Sequence, residues 1–555
     1  MNFKKNESAT KLRGGYYTPP ETARFLSRWA IKKRPKSILE PSCGDGVFIR
    51  AVHNETKANV RLVGVEVLPA EASKARQVFS KTGSISGVVH QSDFLEWALN
   101  EQIGGEVFGA VLGNPPYIRY QYLEQASQKL AETIFRQFHL PFTKHTNAWV
   151  PFVIASIALL ECGGRLAMVL PSEILHVLHA EGLRKFLLST CDRICIIDPT
   201  ELLFDEALQG TVLLLAEKKA ISSKPSKGVA VISAANNSFL TLDPEKLFQE
   251  ATYVSGDLLN GKWMKVLLTP EELKVFERVR KNPMVARFRD VAKVDVGIVT
   301  GANKFFLVDN ATVKQFSLGK YARPMFGRSE HCPGVIYDDE THQRNQHLGL
   351  PSNFVMFGEG SLESLNAGAR RYVALGEQRQ LHTRYKCRIR SPWYAVPSVY
   401  ATELGMLKRS HHYPRLILNT AGAYTTDTAY RIKSLTKEVT PQKLVYCFIN
   451  SLTALSAELE GRHYGGGVLE LVPSEIEKLL IPLPPKVRVS LHDLNRLIVA
   501  GGNPDDLLAS QDDIVLAAAG IPKKDRVTLQ NAWRRVRLRR QRLEADEEEP
   551  DLQYA

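Results

Sequence analysis

Short apolar runs alternate with stretches whose apolar positions recur at helical spacing over roughly residues 20–216. The first helical pattern covers Thr22–Ile31, with Thr18 placed as its N-cap, Pro19 at the first helical position and Glu21 in the capping-box place. Ser37-Ile38-Leu39-Glu40 reads as a strand that runs into a glycine loop and a helix. Leu62–Glu66 and Ala110–Gly113 read as buried strands, and Gly87–Phe94 as a further strand ending in an acid and an aromatic. An apolar helix over Ala148–Leu160 precedes strands at Gly164–Pro171, Arg193–Asp198 and Thr211–Ala216. This alternation predicts an α/β domain with a doubly wound sheet, whose ligand groups stand at the C-terminal ends of its strands.

The regular alternation fades after about residue 240, which puts a boundary between 240 and 290. Lys218–Gly228 is polar and reads as a turn or short linker. Three parts are expected: an α/β domain over 1–245, a second domain over 246–490 and a helical extension over 491–555. Asp295–Leu307 reads as strand, glycine turn, strand. Arg384, Lys386, Arg388 and Arg390 alternate at period two, so a strand there would carry one basic face. Lys523–Arg542 holds nine Lys or Arg and one acid, and Glu544–Asp551 then carries six acids. Such blocks are commonly solvated or disordered, and a basic arm gripping phosphate is the alternative.

The four early strand tips carry chemistry in order. Glycines 44 and 46, after Glu40-Pro41-Ser42-Cys43, let backbone pass close to a ligand. Glu66 ends the second strand, in the place of a ribose-hydroxyl acceptor or of a simple surface acid. Asp93-Phe94 follows the third strand, an acceptor for an amino group beside a ring that could pack on a base. The fourth ends in Asn114-Pro115-Pro116-Tyr117. There the Asn114 side-chain oxygen and the Pro115 carbonyl are acceptors in a stiff frame, and Tyr117 offers an aromatic face. Two acceptors and a stacking face suit a flat heterocycle with an exocyclic amine. A strand followed by a Pro-Pro turn is the plainer reading of the tetrapeptide alone.

The net charge of +13 favours a polyanionic partner, nucleic acid first. Between Asn366 and Arg431 eleven Lys or Arg face three acids, with eight Tyr or Trp interleaved. That is the composition of a nucleic-acid face, or of a solvated basic surface over ordinary core aromatics. Arg462 flanks the glycine-rich turn at 465–467, which fits either a close approach to DNA backbone or a tight structural loop. No apolar run reaches transmembrane length, and Met1-Asn2-Phe3-Lys4-Lys5 lacks the apolar core of a signal peptide. Seven scattered cysteines argue for structural thiols in a reducing cytosol. Cys191 and Cys195 lack the second pair that a zinc site needs, and no metal is expected.

The ordered tips, and above all Asn-Pro-Pro-Tyr and Glu-Pro-x-Cys-Gly, resemble the N6-adenine DNA methyltransferases that depend on S-adenosylmethionine. The motif order resembles the gamma group of type II modification methylases, over roughly residues 14–220. The resemblance implies a class I methyltransferase fold with a mixed sheet, followed by an α+β target-recognition domain. By that likeness Thr18, Glu40, Ser42, Gly44 and Gly46 hold the methionine portion of the cofactor. Glu66 binds the ribose hydroxyls, Val67 packs on the cofactor adenine, and Asp93 accepts from its amino group with Phe94 beside it. Asn114, Pro115, Pro116 and Tyr117 hold the target adenine, and Phe204 stacks on its other face. Phe204 could equally fill core. The implied partners are duplex DNA and a cognate restriction endonuclease that need not bind stably. The implied location is the cytoplasm of a prokaryote, at the nucleoid.

Two rival enzyme substrates share this tetrapeptide, an RNA base and a protein glutamine. The size and basicity of the C-terminal half favour DNA. A non-catalytic DNA specificity component is opposed by the full set of strand-tip residues. A fused nuclease is opposed by the want of a convincing Asp…Glu-x-Lys segment.

Overall fold

The structure is a computed structural model. It describes residues 17–541 apart from 57, 82–84, 103, 104, 145, 201–209, 223, 260, 437 and 465, together with 552–554. The described residues form two compact units divided between Pro270 and Glu271, with 552–554 in the first.

The first unit is built on β1 (Ser37–Glu40), β2 (Val60–Glu66), β3 (Ile85–Gln91), β4 (Phe108–Gly113), β5 (Leu160–Pro171), β6 (Cys191–Pro199), β7 (Thr211–Lys218) and β8 (Gly228–Ala234). Their order across the sheet is β8-β6-β7-β5-β4-β1-β2-β3, with Leu552–Tyr554 antiparallel on the outer edge of β8. Strands β1 to β5 run parallel, and β7 runs antiparallel between β5 and β6. This is the expected doubly wound mixed sheet. Helices cover it, so a central strand such as β4 is buried along its whole length. β1 connects onward to β2 on one side and pairs with β4 on the other, so the sheet reverses its winding between them. Clefts for ligands open at such a reversal.

Helix α1 (Pro20–Ala30) starts at Pro20 and has Pro19 as N-cap, with no side-chain cap. The expected Thr18 cap is therefore displaced by one residue. A residue that precedes proline is driven out of the α region, so Pro19 stays extended and Pro20 takes the first helical position. Arg165 on β5 fastens α1 to the sheet. It is buried, donates to the Trp29 carbonyl at 2.8 Å, lies 4.6 Å from the Trp29 ring centroid and forks onto Glu245. Strand β8 lies in a region expected to lose regular structure only after 240, yet its short Val-Ala-Val-Ile run carried no flanking periodicity.

The second unit is α+β. Its largest sheet contains Ala292–Val296, Ala429–Ser434, Leu404–Leu407, Leu416–Asn419 and Ile336–Tyr337 in that spatial order. After Gly301 the chain forms a helical turn over Asn303–Phe306, not the expected second strand, because Phe305 and Phe306 both enter the core. The basic strand at 384–390 does not form either. Tyr385–Arg388 is one helical turn, capped by an extended Arg384. Tyr385 and Ile389 are exposed and Cys387 alone between them is buried, so no apolar face exists to seat a strand.

The basic block near the C-terminus is also corrected. Lys523–Gln541 is a helix, and several of its arginines are paired inside the second unit, while Lys523, Lys524 and Arg534 stay exposed. Arg537 forks onto Asp505 and lies 4.4 Å from the Trp533 ring centroid. Arg540 donates to Glu458 at 2.7 and 2.9 Å, and both side chains are fully buried. Burial alone would raise the Glu458 carboxyl, but Arg540 and a hydrogen bond from His463 hold it at about 2. Among the described residues no helix is long and apolar enough to cross a membrane.

Removing one partner of a buried ion pair leaves the other charge stranded. Arg540→Ala is expected to cost about 3–5 kcal/mol, read by chemical denaturation. The Glu458 contribution is complete above the ordinary carboxylate range and is lost as pH falls towards 2. Glu458→Gln should therefore unfold more easily at neutral pH and lose that part of the acid dependence.

Candidate active site

The C-terminal ends of β1, β2 and β4 meet through hydrogen bonds that the sequence did not announce. Gly44 donates its N–H to Glu66 Oε2 at 2.9 Å, and Leu68 donates to Oε1 at 2.8 Å. Glu66 thus braces the glycine loop from the neighbouring strand, while each of its oxygens keeps a second lone pair. Gly44 and Gly46 both have positive φ, +49° and +86°. A Cβ at Gly44 would point into open space, whereas one at Gly46 would press on Val78, Ala75 and Ile49 at 3.2–3.3 Å. The first glycine leaves room for a ligand and the second lets α2 (Val47–Glu55) pack against α3 (Pro69–Lys81). Val67, beside Glu66, is 59% exposed, an apolar face at the mouth of the loop.

Glu40 closes β1 from the inside. It is fully buried, and neither carboxylate oxygen has a hydrogen-bond partner among the described residues. Burial pushes its carboxyl well above the usual range, and the nearby Asp45 and Glu66 charges add to that. Cys43 beside it is a buried neutral thiol, pushed up by burial and by the Glu40 and Glu66 charges. It carries no nucleophilic role.

Ser42 donates to the Asn114 carbonyl at 3.0 Å and ties the β1 loop to the β4 loop. Beyond Gly113, Asn114-Pro115-Pro116-Tyr117 runs without regular structure, with Pro115 buried and the other three half-buried. Tyr117 donates its hydroxyl to the Val169 carbonyl of β5 at 3.0 Å, which fixes the ring on the wall of the cleft. Asp93 caps the one-turn helix Phe94–Trp97 by accepting from Leu95 at 2.8 Å, and its other oxygen accepts from Ser127 at 3.3 Å. Phe94 is buried against Phe152, with ring centroids 5.0 Å apart, and it supports this wall from behind. Thr18 is buried just ahead of α1.

One pair was missed. Asn147 donates to Glu173 at 3.0 Å, and Asn147 bridges to Arg119 while Ala148 donates to the Ile118 carbonyl at 2.8 Å. These contacts hold the segment that leaves Tyr117. Glu173 follows the end of β5, so the same strand-tip logic that found Glu66 could have found it.

The second unit separates the other candidates. Arg390 donates to the carbonyls of Thr300 and Val299 at 2.8 and 2.7 Å, and Arg462 pairs with buried Glu475 at 3.0 Å. Both act within the fold. Arg384, Lys386 and Arg388 are exposed. Phe204 lies outside the described residues.

Comparison with known proteins agrees with this layout. The N-6 DNA Methylase family profile matches residues 2–252. The profile of the type II methyltransferase M.Eco57I C-terminal domain matches residues 260–516. Together they part close to the division between the two units. The type II methyltransferase M.AccI of Acinetobacter calcoaceticus is 23% identical over 479 residues, 83% of this chain and 84% of its own. M.XamI of Xanthomonas campestris pv. amaranthicola is 23% identical over 491 residues, 84% and 85% of the two chains. M.TthHB8I of Thermus thermophilus is 32% identical over 181 residues, 31% of this chain and 38% of its own. With one profile on each unit and relatives that run nearly its full length, this chain belongs to the N-6 DNA methylases and is a type II DNA methyltransferase of the restriction–modification kind.

Proposed function

We propose that this enzyme transfers a methyl group from S-adenosylmethionine to N6 of an adenine in duplex DNA. The observation that carries the reading is the buried Glu40 carboxyl, whose two oxygens have no hydrogen-bond partner among the described residues, set across one hydrogen-bonded link from the Asn114 acceptor loop. A cofactor with an ammonium group would give Glu40 its missing counter-ion. The open Gly44 position, the spare lone pairs of Glu66 and the exposed Val67 face fit the remainder of such a molecule. Bound there, S-adenosylmethionine supplies a methyl group already made electrophilic by its sulfonium.

The chain's own task is then to prepare the amine. The adenine N6 lone pair is delocalised into the ring. Acceptance of its two hydrogens by the Asn114 side-chain oxygen and the Pro115 carbonyl favours a pyramidal nitrogen, and so frees that pair. The same oxygens stabilise the positive charge that develops on N6. Pro115 and Pro116 hold the acceptors without backbone motion, which is positioning in the sense of a near-attack geometry. The target atom is out of reach inside a duplex, so the base must leave the stack. Tyr117, pinned through its hydroxyl, takes one face of it. Phe204 is assigned to the other face by its place just before β7 alone. The biological partner is a restriction endonuclease that cuts the same sequence when it is unmethylated.

Asn114→Ala is expected to lower tritiated-methyl incorporation into DNA by about 100-fold or more, with duplex binding kept. Retained transfer would remove Asn114 from the mechanism. Mapping modified bases in DNA from cells that express this chain alone should show N6-methyladenine within one short sequence. Methylcytosine, or no modified base, would overturn the reading.

Glu40 gives an independent test. Its carboxyl is raised by burial, so ligand-free stability falls as pH rises above the ordinary carboxylate range. Glu40→Gln should raise the Tm of the ligand-free protein at neutral pH and flatten that fall. The same change should weaken S-adenosylmethionine binding by roughly tenfold or more in calorimetry.

A further inference from the structure

Several basic side chains of the second unit are answered by acids. Arg278 pairs with Asp525 at 2.7 Å, Arg409 with Glu470 at 2.7 Å, Arg462 with Glu475 at 3.0 Å and Arg537 with Asp505 at 2.7 Å. The turn 384–389 gathers three that are not, around one aromatic ring. Among the described residues Arg384, Lys386 and Arg388 have no ion pair, and all three are exposed. The nearest acid in sequence, Glu377, accepts from Trp393 Nε1 at 3.1 Å. Lys386 and Arg388 each stand 5.5 Å from the ring centroid of Tyr385. Tyr385 is itself 63% exposed, as is Ile389 beyond it.

This exposed cluster sits on a fixed backbone. Cys387 is buried with its sulfur 3.9 Å from the Thr300 carbonyl, and Arg390 binds the carbonyls of Val299 and Thr300. Gly301, at φ +79°, seats that loop against the turn, and a Cβ there would come within 2.6 Å of Lys386 Cβ. The fold thus spends three anchors to hold out an aromatic ring and three cations that repel one another. A polyanion removes the repulsion, and a rigid ring between cations enters a groove at little cost in entropy.

We propose that the turn Arg384–Ile389 is a preformed contact for duplex DNA, with Arg384, Lys386 and Arg388 on phosphates and Tyr385 in the groove between them. It rests on the DNA reading above and adds the element that grips the substrate. It also replaces the simple basic strand face: Arg390 becomes an anchor, and Tyr385 becomes the residue that meets bases or sugars.

The test uses the full chain and a fluorescent duplex of mixed sequence, titrated by anisotropy over a range of salt. The triple variant R384A/K386A/R388A should flatten the slope of log K against log salt by about 2–3, close to 0.9 for each phosphate released. Tyr385→Ala should weaken duplex binding about tenfold, and Tyr385→Phe should keep most of it. S-adenosylmethionine affinity and Tm should hold in all three, since the changed side chains lie in solvent. A triple variant with wild-type slope and affinity overturns the proposal, as does a loss confined to single-stranded RNA. If wild-type protein methylates DNA while the variants bind it normally, this surface alone falls. If wild-type protein neither binds nor methylates any duplex, the reading beneath it falls as well.

Discussion

Parallel pairing of β1 with β4 is the constraint on which the rest depends. Ile38 lies against Ala110 and Leu39 against Val111, so the two strands end side by side. Two loops follow these ends, and the proposed site lies where they meet. One strand delivers an acid and a glycine turn, the other delivers two acceptors framed by prolines. The Ser42 bond to the Asn114 carbonyl ties the two loops together. Neither loop would have its geometry without the other, which is why a chemical role can be argued for the pair and for neither alone.

Charge is distributed on two different principles in this chain. A net charge of +13 invites the view that the whole surface is a nucleic-acid face. The described residues show otherwise. Arg165, Arg537 and Arg540 are buried and matched, and they work as rigid forks that tie elements together. A guanidinium suits that task because its planar donors satisfy a carboxylate and a carbonyl at once. Composition counts such arginines as cations, although their fields are cancelled at contact distance. What remains for a distant anion is a smaller set, recognised by the want of partners and not by number.

How much of this was legible in the sequence follows from the same physics. Seven of the eight strands of the first unit were readable from short apolar runs, most plainly β4, which is buried along its whole length. Glu66, Asp93 and Asn114 were singled out as candidates because a polar residue at the end of such a run stands out. What each does locally was hidden: that Glu66 braces Gly44, that Asp93 caps a helix, and that Phe94 is packed behind the wall depend on neighbours far along the chain. Glu173 and Asn147 were missed for that reason. In the second unit, period two in the basic residues was mistaken for a strand, because charge periodicity says nothing about which face has something to pack against. The single buried residue there, Cys387, decided the matter, and it decided for a helical turn. The basic helix at 523–541 was misread because its acids lie elsewhere in sequence, at Glu458 and Asp505.

The two unusual carboxylates make the contrast plain. Glu458 and Glu40 are both fully buried, yet one is held down at about 2 and the other is pushed well above the usual range. The difference is the counter-ion. Glu458 has a guanidinium in contact, so its charge is part of the folded state and its loss would be a loss of stability. Glu40 has none among the described residues, so the protein bears the cost of desolvating an acid with nothing to offset it. A fold retains such a cost where the missing charge arrives from outside. On that argument the second unit keeps its buried charge for architecture, and the first keeps an unpaired buried carboxyl that a ligand carrying a cation would ionise.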